Sequence, residues 1–177
     1  MRVIADLHLH SKFSRAVSRD MTIPAIAQWA RKKGIDLVAT GDFTHPRWLE
    51  EICATLSEDG SGILRLTHPV DEHQNGQSSS RFLLSTEIST IYSFKGKTRR
   101  IHTLLWVPTI ASARAIGQAL TKAGCNLLSD GRPIIGLTLV ELAELVLGVE
   151  PKALIVPAHI WTPWFSVYGA MGGFQSL

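Results

Sequence analysis

The densest chemistry in the chain lies in "ADLHLHS", residues 5–11, where His8 and His10 stand two apart behind the carboxylate of Asp6. Two imidazoles at i and i+2 of an extended segment point to the same side, so they can share one divalent ion. The competing reading makes them polar residues at a strand mouth, satisfied by neighbours. Further candidates recur along the chain. Asp42 follows "IDLVAT", Glu87 follows "RFLLST", His102 lies inside "RRIHTLLWV", and His159 follows "ALIVPA". Histidine with carboxylate is a ligand set for zinc, manganese or iron. A carboxylate such as Glu87 has two oxygens and can bridge two ions, and clustered ions acidify water and neutralise a phosphoryl group. Taken singly, each residue also has an ordinary reading. His102 would be a hydrogen-bonded core histidine, Asp42 a cap for the helix at "HPRWLEE", and Glu87 a partner of Arg99 or Arg100. Recurrence at successive strand ends favours the metal reading, because α/β folds gather ligands there. His45, His68 and His73 read as mostly solvent-facing, with His45 also a candidate for a pocket rim.

The elements that must position these groups follow from periodicity and local stop signals. "RVIADL", "IDLVAT", "RFLLSTEIS", "RRIHTLLWV" and "PKALIVPAH" are short, apolar and β-branched, and read as strands, with Pro157 suited only to a strand end. Thr22 can N-cap a helix over "PAIAQWARKKG", with Pro24 in its first turn and Gly34 as the stop. "PRWLEEICATLSEDG", "TIASARAIGQALTKAG" and "TLVELAELVLG" read as further helices, and "SFKGKT" as a turn. The opening strand–helix–strand–helix rhythm favours a parallel sheet with helices outside. "GILRLTHPVDEHQNGQSSS" breaks that rhythm, and its "QNGQSSS" reads as an exposed loop. Trp29, Trp48 and Trp106 read as core residues.

Composition sets limits. The chain has 177 residues, 45% hydrophobic and 19% charged, which fits one globular domain over 1–177. A net charge of +3 permits a polyanionic partner without demanding one. Cys53 and Cys125 form no Cys-x-x-Cys pair, so thiolate zinc ribbons and redox dithiols are not expected. The opening "MRVIADLHLH" is too short and too polar for a secretory or membrane segment, so a cytoplasmic protein with no membrane partner is expected. The closing "WTPWFSVYGAMGGFQSL" is aromatic and glycine-rich, unlike a helix that closes a core. A barrel of alternating strands and helices needs more chain than this, so the sequence reads as an N-terminal piece of a longer protein.

The ordered motifs "DLHLHSKFS", "TGDFTHP", "TEIS", "RRIHTLL" and "PAHIWTPW" resemble the polymerase and histidinol phosphatase (PHP) family. "SDGRP" and "AHIWTPW" resemble its endonuclease Q branch in particular. The resemblance implies an α/β fold, here an incomplete distorted (β/α)7 barrel truncated at its C-terminus. It implies two or three divalent ions at the mouth, zinc foremost, with manganese or iron as alternatives. His8, His10 and Glu87 would belong to one ion, and Glu87, His102 and His159 to a second. Asp42 would be a ligand of a third or a group beside it, and Asp6 an orienting group. The branch is known for metal-dependent cleavage of DNA 5′ of deaminated bases and at abasic sites. Two departures stand out. Many members carry a histidine or aspartate six residues after the second histidine, where this chain has Ala16, and the family's later Asp-x-His motif does not occur before Leu177.

A DNA substrate would need phosphate neutralisation beside the ions. Lys12 and Arg15, in the loop after His10, and Arg132 in "SDGRP" are the candidates, with Arg19 nearby. The run Lys95, Lys97, Arg99 and Arg100 reads first as a solvated turn. Trp161 and Trp164 either stack on a displaced base or pack on the barrel rim. Two other readings remain: a small-molecule phosphoesterase of the same family, and a non-catalytic remnant that serves as a binding module.

Overall fold

The computed structural model describes residues 2–68 and 81–175. Its elements are β1 (Ala5–Asp6), α1 (Ile23–Lys33), β2 (Leu37–Ala39), α2 (Pro46–Thr55), β3 (Leu56–Glu58), β4 (Leu64–Leu66), β5 (Arg81–Phe94), β6 (Lys97–Val107), α3 (Ile110–Lys122), β7 (Ile134–Ile135), α4 (Leu139–Val149) and β8 (Leu154–Pro157). His73 and the "QNGQSSS" segment lie outside the described residues.

The sheet is mixed, which corrects the expectation of a parallel one. β1 and β2 are parallel, and β2 is parallel to the first residues of β5. From Leu84 onward β5 changes partner and runs antiparallel to β6 as one long hairpin, and β6 in turn pairs antiparallel with β8. The hairpin closes through Lys95 and Gly96, both at positive φ (49° and 72°), the backbone that a two-residue turn between twisted strands needs. Only two residues separate these strands, too few for the helical crossover that parallel pairing requires. Among the described residues, no strand pairs with the other edge of β1 or β8, and the sheet remains open. Val3, Ile4 and Leu154 are exposed along those two edges.

Helix starts follow local chemistry. The Thr22 hydroxyl accepts from Ala25 N, and Gly34 (φ 69°) ends α1 in the left-handed conformation. Thr138 and Glu141 cap α4 reciprocally. α2 stops at Thr55, short of Gly60 where the sequence pattern places the stop. Leu56 turns extended (φ −119°, ψ 147°) and begins a β3–β4 hairpin, pairing with Leu66. Residues 59–63 are the turn of that hairpin, with Asp59 accepting from Ser61 N at 2.9 Å and Gly60 and Gly62 at positive φ. Tertiary burial of Leu56 and Leu64 overrides the helical reading. β4 and β7 are too short to register as strands in the sequence.

The core lies between the sheet and the helices, with Trp48, Ile52, Phe82, Leu84, Ile88, Ile116 and Leu142 fully buried. Each such apolar side chain stabilises the fold by about 1.5–3 kcal/mol relative to exposure. Trp48 also donates its indole N–H to Gly41 O at 2.8 Å, tying α2 to the loop after β2. Trp29 is not core. It is 54% exposed on α1, with the Lys32 ammonium 4.6 Å above its ring, because the apolar face of α1 is supplied by Ile23, Ile26, Ala27 and Ala30. Trp106 is only partly buried and donates to Leu7 O at 3.2 Å. His45 is not solvent-facing. It is 4% exposed and stacks on Phe13 at 4.3 Å, and burial pushes its pKa down. His68 is exposed.

Candidate metal centre

β5 and β6 set the centre's frame. Ser89 sits opposite His102, so Glu87, two residues back, shares the face of His102 one diagonal step away. Glu87 is 1% exposed and faces four imidazoles. Its Oε1 lies 3.3 Å from His8 Nε2, 3.2 Å from His102 Nδ1 and 3.2 Å from His159 Nε2. Its Oε2 lies 3.2 Å from His10 Nε2 and 3.3 Å from the Arg132 guanidinium. His8 and His10 follow the end of β1, and His159 follows β8, so two edge strands of the sheet and the interior strand β6 deliver imidazoles to one carboxylate. Glu87 does not pair with Arg99 or Arg100. Arg99 donates to Gly173 O and stacks on Phe174 instead.

Two groups of donors could each hold a metal ion: His8, His10 and Glu87, and Glu87, His102 and His159. Their chemistry fits a divalent ion. Donors about 2.0–2.1 Å from a tetrahedral zinc stand about 3.3 Å from one another, the spacing seen around Glu87. The buried His102 Nδ1 faces Glu87 Oε1 and, among the described residues, no hydrogen-bond donor, which leaves its lone pair available to an ion. His159 Nδ1 lies 3.1 Å from Thr162 Oγ1, and donation there turns the Nε2 lone pair toward Glu87. Thr162 N also donates to His159 O at 2.9 Å, which holds His159 at its unusual φ of 31°.

Asp42 stands outside both groups, beside His10. Its Oδ1 lies 3.0 Å from His10 Nδ1, while Oδ2 accepts from Ser11 N (2.6 Å), Ser11 Oγ (2.7 Å) and Ser14 Oγ (2.8 Å). With both oxygens engaged, the carboxylate orients His10 so that Nε2 faces Glu87. It does not cap α2, whose N-cap is His45 without a side-chain bond. Two glycines permit this packing. Gly41 adopts φ 64° against Leu9 O, and a Cβ on Gly131 would overlap Asp42 Oδ2. Ser11, Ser14 and Gly131 were not legible as site residues, although a carboxylate after a strand-end glycine calls for nearby donors. Asp6 accepts from the His8 backbone N–H at 3.5 Å and so shapes the chain without touching the imidazole.

Electrostatics follow from this enclosure. Burial alone would raise Glu87, but its contacts with His10, His102 and His8 outweigh that and hold it well below the usual carboxylate range. Burial pushes His102 down. His10 is also opposed by burial, yet its bonds to Asp42 and Glu87 and their charge raise it to about 9. Protonated His10 therefore stabilises the metal-free fold fully below about pH 6.5, and that contribution is lost as pH rises through about 9. An ion needs the lone pair that this proton occupies. Ion affinity should rise about tenfold per pH unit up to about pH 9 and level off above it. Calorimetry in buffers of different ionisation enthalpy should read about one proton released by His10 on ion binding near neutral pH. A pH-independent affinity would contradict this.

The remaining candidates are placed as follows. Lys12 is paired with Glu51 at 2.8 Å, and Arg15 with Asp130 at 3.3 Å. Arg132 reaches Glu87 from the loop before β7. Trp161 and Trp164 are both exposed. Ala16 is exposed, with φ 61°.

No family model matches the chain. It is 30% identical over 158 residues to an uncharacterized protein of Methanocaldococcus jannaschii, covering 89% of this chain and 16% of that protein. It is 28% identical over 187 residues to the uncharacterized protein YqxK of Bacillus subtilis, covering 95% and 43%. Among solved structures it is similar to the lesion-specific endonuclease PfuEndoQ of Pyrococcus furiosus, with a TM-score of 0.75 and 34% identity over 94% of this chain and 36% of that one. It is similar also to endonuclease Q in complex with a 27-mer duplex carrying an abasic lesion at the active site, with a TM-score of 0.76 and 36% identity over 94% and 37%. The chain thus spans about a third of each solved endonuclease and less than half of either curated relative. No helix among the described residues is long and apolar enough to cross a membrane.

Proposed function

We propose that the chain forms a PHP-type domain of a cytoplasmic, metal-dependent DNA endonuclease that cleaves 5′ of deaminated bases or at abasic sites. The observation that carries the reading is Glu87 held at 3.2–3.3 Å from four histidines, in a chain 34–36% identical to structures of endonuclease Q. Divalent ions bound there, zinc or manganese in the first instance, would supply an acidified water and positive charge against a scissile phosphodiester. The chain's own groups do the rest. Glu87 joins the two histidine groups, and Asp42 and Thr162 fix the orientation of His10 and His159. The Arg132 guanidinium, anchored at Glu87, has further donors for a phosphate oxygen. Lys12 and Arg15 would have to exchange Glu51 and Asp130 for phosphate, which makes them weaker contributors than Arg132.

The test is a nicking assay on duplex DNA with one deoxyuridine or one abasic site, with zinc or manganese added to the purified chain. Nicking at the lesion is expected, with undamaged duplex left intact. Turnover of a small phosphate monoester without nicking would replace this reading with a small-molecule phosphoesterase. Binding of less than one ion, with neither activity, would favour a non-catalytic binding module.

A further inference from the structure

The tip of the β5–β6 hairpin and the segment after His159 enclose an open groove of about 950 Å³, lined by Lys95, Lys97, Trp161, Tyr168, Met171 and Phe174 among others. We propose that this groove is the track of a single-stranded DNA segment leading to the metal centre, with a base stacked on Trp161 and phosphates on Lys95 and Lys97. The proposal rests on the endonuclease reading and adds a binding site to it.

Three observations carry it. First, the groove is cationic: no acidic residue lines it among the described residues, while Lys95 and Lys97 stand at its hairpin wall. Second, Trp161 is 77% exposed and lies against Tyr168 with ring centroids 5.0 Å apart and planes 21° from parallel. A large aromatic left in solvent but held flat by a second ring offers a stacking face that accepts any base. Third, the groove joins the centre through a short, braced segment. Trp161 follows His159 by two residues, and Phe165 stacks on His102 at 4.5 Å. His102 N donates to Phe165 O at 2.9 Å, Arg100 N donates to Gly172 O at 3.1 Å, and Arg99 binds Gly173 O and lies 4.3 Å from the Phe174 ring. Arg99 thus braces the wall, and the two lysines are the groups available to phosphate. A single strand offers phosphates to the ammonium groups and unpaired base faces to the aromatic ring, whereas a paired duplex offers no base face to Trp161.

The experiment measures binding of the chain to a fluorescein-labelled single-stranded 12-mer and to the matching duplex across a salt series. Trp161→Ala should weaken the single strand by about 5- to 150-fold, the range for loss of one stacked base, and leave the duplex nearly unchanged. Trp161→Phe should recover part of the loss. Lys95→Ala with Lys97→Ala should reduce the slope of log affinity against log salt by about 1.4, the contribution of two single-strand phosphates. Trp29→Ala, which removes an exposed tryptophan beside Lys32 on α1, should change nothing. Wild-type affinity in Trp161→Ala, a loss matched by Trp29→Ala, or no measurable binding by the unaltered chain would each overturn the groove. Single-strand binding that depends on Trp161, in a chain that never nicks DNA, would overturn the endonuclease reading and leave the groove standing.

Discussion

Glu87→Gln is expected to abolish ion binding by both histidine groups at once. Glu87 is the one residue common to both, and its two oxygens touch five side chains. The amide keeps the volume but replaces one acceptor oxygen with a donor and removes the negative charge, so neither group retains an anionic ligand. Ion affinity should fall by more than about 100-fold, since even groups that only orient ligands are worth about 10–100-fold. Metal-dependent nicking should fall with it. The metal-free fold should respond in a pH-dependent way. Protonated His10 owes its stabilising contribution to Asp42 and Glu87, and a pKa raised from 6.5 to about 9 corresponds to roughly 3 kcal/mol net of the opposing burial. Glu87→Gln should therefore melt well below the unaltered chain at pH 5.5–6.5, and the gap should narrow above about pH 9, where the lost Arg132 pair remains. Thermal melts across that range, beside calorimetric ion titrations, check both parts.

Asp42→Asn is the second large effect, and it acts without touching an ion. The three donors on Oδ2 will hold the amide oxygen, which turns the NH2 group toward His10 Nδ1. Nδ1 must then accept, so the proton moves to Nε2, the nitrogen that faces Glu87 and would ligate. Ion affinity should drop about 10- to 100-fold with the fold retained. Nitrogen-15 shifts of His10 should report the exchanged tautomer. Gly131→Ala is the steric counterpart: its Cβ would overlap Asp42 Oδ2 and Ser14 Oγ, so it should destabilise the fold by about 1–3 kcal/mol and weaken ion binding in the same direction. Unchanged ion affinity in Asp42→Asn would mean that His10 is oriented by something else.

How much of this was legible in the sequence varies with the range of the interaction. α1 reads correctly at both ends because Thr22 and Gly34 act within one turn of the helix they bound. The five residues around the two ion groups could be named from strand ends and ordered motifs, and the fold brings all five together. Asp42 could not be separated into ligand or neighbour, because the decision rests on Ser11 and Ser14, more than 25 residues away in the chain. The end of α2 was misplaced since an Asp-Gly-Ser-Gly turn looks alike whether it stops a helix or closes a hairpin. Trp29 and His45 exchanged their expected places, because periodicity does not say which apolar side of a short helix is covered, and a histidine before proline carries no sign of a ring such as Phe13 waiting to stack on it. The hairpin lysines are exposed as a solvated turn would be, and nothing local in the sequence tells that the aromatic segment after His159 lines the same groove.

On the proposed reading, Glu87 gathers two histidine pairs to hold divalent ions. Native mass spectrometry of the chain after zinc loading and buffer exchange tests it most directly. One to two zinc ions should be retained per chain, and none in Glu87→Gln. Less than one retained ion in the unaltered chain, or equal zinc content in the two proteins, would contradict it.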